Sequence, residues 1–270
     1  KRVGVKVRLL ATAASAGLAG YLLGAWLSSL QILGIDDLMM HYPLFAIVVT
    51  CFAVAGVANA FNIIDGYNGL SGMVGVIILG GIAYVAFHLH DYEIMVAALA
   101  MMGAILGFLV LNYPRGLIFA GDGGAYLWGG VIAIASITLV QRHEEVSPWF
   151  PMLLLIYPVW ETVFSIYRKL VRGVSPGVAD ALHFHQLIYR RIVREVFHDD
   201  EARRMLMRNN RTSPYLWGFT LLTVIPAVLF WRNTPVLMGF CLLFVCTYVP
   251  AYLMIVRFKV PRWIRRGRGR

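Results

Sequence analysis

Residues 43–88 read PLFAIVVTCFAVAGVANAFNIIDGYNGLSGMVGVIILGGIAYVAFH. Two apolar runs, 43–61 and 70–88, contain no Asp, Glu, Lys or Arg. Each is close to the ~20 residues that an α-helix needs to cross the ~30 Å hydrocarbon core of a bilayer. Between them lie only Asn62 to Gly69, too few for anything but a turn. The stretch therefore reads as a transmembrane helical hairpin with a polar tip. The same scan along the chain finds further runs near 9–30, 94–112, 124–141, 148–167, 214–231 and 235–256. The predicted fold is all-α: a multi-pass integral membrane bundle of about eight spans forming one domain over 1–270. Pro151, Pro158 and Pro250 fall inside spans, where membrane helices tolerate proline better than soluble ones do. Composition agrees, with 59% hydrophobic and 14% charged residues against about 45–50% and about 25% in a soluble domain. Cys51, Cys241 and Cys246 lie in apolar runs with no metal-binding or disulfide spacing, and no internal repeat is evident.

Eight spans divide the connecting segments between two sides. Segments 1–8, 59–69, 112–123, 168–213 and 257–270 hold 22 of the 24 Lys and Arg residues; the other side holds only Arg142 and Arg232. The positive-inside rule places the basic side in the cytoplasm. This asymmetry accounts for most of the net charge of +10, so nucleic acid is not needed to explain it. The lipid bilayer is the expected partner, and the Arg-rich tail 257–270 is expected on anionic headgroups.

Three cytoplasmic segments carry chemistry-bearing residues. The first is Asn59 to Leu70, where Asn59, Asn62, Asp65 and Asn68 accompany Gly66 and Gly69. Polar groups at membrane depth are costly unless they have a task, and glycine lets the backbone turn tightly and a ligand approach. The second is Phe119 to Ala125, in which Asp122 stands among three glycines. Mg²⁺ is typically held by one or two carboxylates with substrate phosphates and water, and Asp122 suits that role. The third is the long segment 168–213, expected as a loop, with His183, His185, Arg190 and Arg191. Residues two apart share a side only in extended backbone, so the two imidazoles can share a ligand only where the chain is not helical. The arginines suit phosphate. Asp36 and Asp37 look like a metal pair but lie one full span away, on the sparsely basic face. His88, His90 and Glu93 belong to that outer face too. Glu161 sits within a span, where a carboxylate is a functional candidate or a helix–helix hydrogen-bond partner. Together the three segments suggest phosphate or nucleotide chemistry at the bilayer surface, done by positioning and charge neutralisation.

The order N-A-F-N-I-I-D-G-Y-N-G-L, F-A-G-D-G-G-A and H-F-H-Q, each between spans, resembles the polyprenyl-phosphate sugar-1-phosphate transferases, the relatives of WecA and MraY. The resemblance covers nearly the whole chain. It implies a multi-pass bacterial plasma-membrane enzyme with a cytoplasmic site. Such an enzyme moves an N-acetylhexosamine-1-phosphate from a UDP-sugar to undecaprenyl phosphate and releases UMP, with Mg²⁺ or alternatively Mn²⁺. Position by position it implies Asp122 and Asn62 at the metal and Asp65 beside them. It further implies Phe119 against the uracil, Asn59, Asn68 and Arg190 among the substrate contacts, and His183 and His185 at phosphates or sugar. The H-x-H-Q form looks closer to the WecA-like, O-antigen-initiating branch than to MraY. A homodimer is left open as the assembly.

Two departures accompany the resemblance. Asn68 stands where many relatives carry a second Asp. The family's paired-aspartate motif precedes a span like 9–30, and the chain opens on Lys1, so it looks like the C-terminal part of such an enzyme. The isolated chain is accordingly expected to transfer no sugar phosphate. Two other classes compete: a transporter, which should hold its ionisable groups near the bilayer midplane, and a noncatalytic subunit of an envelope-assembly complex.

Overall fold

A computed structural model describes residues 4–173, 183–191 and 201–256. Its elements are α1 (Val5–Leu23), α2 (Ile35–His41), α3 (Pro43–Ile64), α4 (Leu70–His88), α5 (Tyr92–Asn112) and α6 (Gly121–Arg142), then α7 (Trp149–Leu154), α8 (Ile156–Val171), α9 (Phe184–Arg191), α10 (Glu201–Leu229) and α11 (Thr234–Val256). Among the described residues, six helices are long and apolar enough to cross a membrane: α3, α4, α5, α6, the Asn209–Leu229 part of α10, and α11; α1 contributes a shorter apolar helix over Val7–Leu23. The protein is a multi-pass helical membrane bundle.

The expected span 148–167 is met by two helices, α7 and α8. Pro158 explains the break. It has no N–H to give the carbonyl of Leu154, so the helical ladder is interrupted there. The expected loop 168–213 is largely helical where it is described. Helix α8 runs on to Val171, α9 is a short helix of its own, and α10 begins at Glu201, well before its apolar part. The tail 257–270 lies outside the described residues.

Helix boundaries follow local chemistry. Pro43 occupies the first turn of α3, where its missing N–H costs nothing. Gly24 closes α1 in the left-handed region at φ 64°. Asp91 caps α5 by accepting the N–H of Ile94 at 3.1 Å. Pro214 lies inside α10 and cannot donate to the carbonyl of Asn210; the hydroxyl of Tyr113 donates to that oxygen instead, at 3.3 Å.

Helix α4 is the most enclosed: Val74, Ile78, Leu79, Ile82 and Val85 have no exposed surface. In lipid such packing yields close dispersion contacts rather than removal of surface from water. The outer side of α5 is apolar and open, with Val96, Leu99, Leu106 and Val110 all exposed. On a soluble protein that stripe would be an aggregation surface; on a membrane bundle it faces lipid.

The end of the bundle that carries Asp36 and Asp91 is stitched by its own polar groups. Asp36 accepts from Ser29 Oγ and Leu30 N, both at 2.7 Å, which holds a turn. Asp91 meets Arg142 and His143, and Arg142 also pairs with Glu93 at 2.9 Å. Asp36 and Asp37 lie in α2, before the start of α3, whereas Asp65 caps its end. The 22 residues of α3 separate the two groups by about 33 Å at 1.5 Å per residue.

Candidate active site at one end of the bundle

Helices α3 and α6 run antiparallel along one seam. At its middle, a Cβ on Gly129 would stand 2.8 Å from the Cα of Ala58, so the two backbones meet with no room for a side chain. One turn further along, Tyr126 donates to Asn59 Oδ1 at 3.5 Å. At the end, Asn62 Nδ2 donates to Asp122 Oδ1 at 2.9 Å. The close approach at Gly129 thus sets the distance at which the first two polar motifs meet. Asp122 lies in the first turn of α6, where the helix dipole favours a carboxylate. Its Oδ2 accepts from Arg8 at 2.6 Å, across an ion pair that is partly open to solvent. Asp65 caps the end of α3. Burial, and secondarily the charge of Asp122, push its carboxyl up to about 6.

The histidine pair joins the same end. His183 immediately precedes α9 and His185 lies in its first turn. Gln186 Oε1 accepts the His183 N–H at 3.3 Å, and the carbonyl of His183 accepts from Leu187 N at 3.0 Å. This is half of a capping box, and it gives the glutamine of H-x-H-Q a physical task. Because one residue is outside the helix and the other inside, the rings stack in parallel, with centroids 5.3 Å apart and planes 6° apart. The backbone condition for a shared ligand is met by a helix start rather than by an extended strand. Tyr67 meets His185 edge-on at 5.5 Å. A Cβ on Gly66 would lie 3.4 Å from His185 Nε2, so His185 abuts the Asp65–Gly66 turn. Behind the rings stands Glu161, almost fully buried, with Oε1 at 3.6 Å from His183 Nδ1 and 3.4 Å from His185 Nδ1.

Asn68 behaves differently from its neighbours. It is buried and its Nδ2 donates to Asn210 Oδ1 at 3.2 Å. Its backbone N–H goes to Asn209 Oδ1 at 2.7 Å, and its carbonyl accepts from Ser213 Oγ at 2.6 Å. The side chain is turned into the protein as a brace to α10. Asn112 braces the next residue. Its Oδ1 accepts Gly69 N–H at 2.6 Å, while its Nδ2 donates to the Ile118 carbonyl at 2.8 Å. Gly69 has φ 72°, a left-handed conformation that favours glycine, and a Cβ there would also strike Tyr113 at 2.8 Å. Phe119 is 76% exposed, an open ring two residues before Gly121. Arg190 lies near the end of α9, and its side chain falls outside the described residues.

The sequence singled out Asn59, Asn62, Asp65, Asp122, His183 and His185, and the structure brings these to one end of the bundle. It did not single out Asn112, Asn209, Asn210, Tyr67 or Arg8. Asn209 and Asn210 carried a usable signal, adjacent amides at the edge of an apolar run, as in the 59–68 motif. Arg8 was counted only as an orienting charge.

The donors suit a hard divalent cation. Among the described residues no three His, Cys, Asp or Glu gather around one point; Mg²⁺ typically retains water and takes substrate oxygens beside one or two carboxylates. The observation favouring a cation is the donor set itself: a partly exposed Asp122 carboxylate in the first turn of α6, with the Asn62 amide 2.9 Å away.

The family model described as Glycosyl transferase family 4 matches residues 1–140, just over half of the chain. The chain belongs to glycosyl transferase family 4. Similar family members include the Escherichia coli undecaprenyl-phosphate alpha-N-acetylglucosaminyl 1-phosphate transferase, 32% identical over 176 residues, or 63% of this chain and 45% of that protein. A Streptococcus pneumoniae phospho-N-acetylmuramoyl-pentapeptide-transferase is 34% identical over 159 residues, covering 57% of this chain and 47% of the relative. A Lactiplantibacillus plantarum protein of the same description is 31% identical over 153 residues, 57% of this chain and 46% of the relative. The chain spans just under half the length of these relatives, and identity does not separate the two branches. The family match includes Asn59 to Asn68, Phe119 and Asp122 but ends before Glu161 and the histidine pair.

Proposed function

We propose that the protein transfers a sugar-1-phosphate from a UDP-sugar to a polyprenyl phosphate at the cytoplasmic face of a bacterial plasma membrane. The observation that carries this reading is the Asn62–Asp122 contact, with Asp65 and then His185 alongside: three motifs distant in sequence meet at one end of the bundle. An oxygen of the lipid phosphate attacks the phosphorus that carries the sugar. A new P–O bond forms there, the bond to the UMP oxygen breaks, and UMP leaves with that electron pair.

Asp122 and Asn62 would hold Mg²⁺, or alternatively Mn²⁺, with Asp65 close by. When bound, the ion would neutralise charge on the pyrophosphate oxygens. The exposed ring of Phe119 offers a stacking face for uracil, and Asn59, beside Asn62 on the seam, offers an amide to the nucleotide. His185 turns its Nε2 toward the Asp65–Gly66 turn and so toward the phosphates, and His183 stacks beside it. Asn68 acts by holding that turn. Helix α1 and the α7–α8 pair complete eight crossings in this reading, with undecaprenyl phosphate entering from the bilayer between helices.

An N-acetylhexosamine substrate and an envelope-polysaccharide product are favoured by the two-histidine H-x-H-Q motif. A second reading, transfer of phospho-N-acetylmuramoyl-pentapeptide, is favoured by the 34% identity to the pneumococcal relative. The experiment is a panel of radiolabelled UDP-sugars offered to the intact protein with undecaprenyl phosphate. Label entering lipid from one N-acetylhexosamine donor supports the first reading, and label only from the muramoyl-pentapeptide donor supports the second. No label from any donor sinks both and favours a transport or assembly role.

A further inference from the structure

We infer that Glu161 is the positioning residue of the histidine pair, fixing both rings with Nδ1 turned inward and Nε2 presented to the phosphate site. This inference rests on the transferase reading for its kinetic consequence, though not for its geometry.

Glu161 lies in α8 and is only 1% exposed. A carboxylate so enclosed requires donors, and four groups converge on it. Phe184 N–H donates to Oε1 at 2.5 Å, and the Tyr248 hydroxyl donates to Oε2 at 2.6 Å. The Nδ1 atoms of His183 and His185 approach the same Oε1 at 3.6 and 3.4 Å. These two contacts are too long or too bent to count as hydrogen bonds, and among the described residues both Nδ1 atoms are buried without another partner. They are polar contacts whose sign depends on the proton. A ring with Nδ1–H points a positive hydrogen at the carboxylate, whereas a ring with a bare Nδ1 points a lone pair at it. The second arrangement is repulsive in a dry site, so Glu161 selects Nδ1–H in both rings. The other ring nitrogen of His185 then faces Gly66, beside Asp65.

The carboxylate also captures a backbone N–H in the first turn of α9, one of the donors a helix start leaves without an internal partner. That second task sharpens the test, because it provides a purely structural alternative. Glu161→Gln keeps a carbonyl oxygen for Phe184 N–H and can still pair with Tyr248. One neutral oxygen cannot hold Phe184 and both imidazoles. A capping role therefore survives the substitution, and a positioning role does not.

The experiment uses the intact protein in lipid nanodiscs, labelled with ¹⁵N-histidine, with His183 and His185 assigned by single replacement. The wild type is expected to show Nδ1 protonated on both rings. In Glu161→Gln at least one ring is expected to pass to the Nε2–H form, with kcat falling about 10–100-fold, the scale seen when a histidine loses its orienting carboxylate. KM for the UDP-sugar should change little. Glu161→Asp, which restores the charge, should recover part of the lost kcat. A wild-type spectrum with bare Nδ1 on both rings overturns the inference without any variant, which covers the case where Glu161→Gln fails to fold. A folded Glu161→Gln with unchanged ring protonation or unchanged kcat overturns it too. Absence of transfer by the wild type would instead refute the transferase reading, and the ring spectra would still decide the role of Glu161.

Discussion

Asn112 joins the turn after Asp65 to the segment leading into Asp122, and its replacement should loosen both at once. The side chain is 4% exposed and makes two bonds, accepting Gly69 N–H at 2.6 Å and donating to the Ile118 carbonyl at 2.8 Å. Asn112→Leu keeps a similar volume and removes both partners. Two backbone groups lose their bonds, each at about 1–3 kcal/mol when buried. The Gly69 amide loses its Asn112 acceptor, so it should open more readily by about 1–3 kcal/mol. At 1.4 kcal/mol per factor of ten, that is about a 5- to 150-fold loss of hydrogen-exchange protection. The assay is hydrogen–deuterium exchange in detergent or nanodiscs, resolved over residues 65–70 and 113–120, with residues 78–85 of α4 as an internal control. Faster exchange confined to the two turns is expected. Equal protection at Gly69 in wild type and variant would refute the claim that Asn112 couples them.

The other predictions follow the same contacts. The Asp65 carboxyl is raised from 3.8 to about 6 by burial and by Asp122, so the folded chain holds a proton that the unfolded chain releases. The stabilisation is full below about 3.8 and is lost as pH rises through about 6, leaving an ionised, repelled carboxylate. Asp65→Asn should therefore be more stable than wild type at pH 8, by at most about 3 kcal/mol, with the gap shrinking toward pH 4; a variant less stable at pH 8 in denaturation would contradict this. Gly129→Ala places a methyl against the Ala58 backbone and should cost about 1–3 kcal/mol while parting Asn62 from Asp122, read as a lower Tm together with weaker Mg²⁺ binding by calorimetry. Tyr113→Phe leaves the carbonyl freed by Pro214 without its hydroxyl partner; a loss of about 0.5–1.5 kcal/mol is expected on chemical denaturation, and no loss would mean that water replaces the bond.

The hydrophobic spans were legible because length and apolarity are properties of a single segment. Run 70–88 became α4 to the residue, and run 43–61 became α3, which continues three residues further to Ile64. The run 148–167 had the right composition, but its helix breaks at Leu155 because Pro158 removes one donor, a local event that composition averages away. The segment 168–213 read as loop because its charges masked α9 and the early part of α10, whose polar turns need no apolar stripe outside the bilayer. Which polar groups share one end of the bundle was legible where they stood at a membrane edge. Partnership was not. Nothing in the spacing of Asn62 and Asp122 reveals the Gly129–Ala58 seam that brings them together. Glu161 stood out as a charge within a span, yet only the packing of α8 against α9 and α11 gives it His183, His185 and Tyr248. Asn68 shows the reverse: a polar residue among the candidate ligands whose side chain meets Asn210 of α10.

The central claim is that Asp122, held by Asn62 beside Asp65, is where the metal and the pyrophosphate meet. It is tested most directly by Mg²⁺-dependent release of UMP from a UDP-sugar and undecaprenyl phosphate, comparing the intact protein with Asp122→Asn. The substitution removes the charge and keeps an oxygen within reach of Asn62, so the fold should survive. The account predicts that UMP release is abolished while the variant stays folded. Near-normal release would contradict it and remove Asp122 from the metal site.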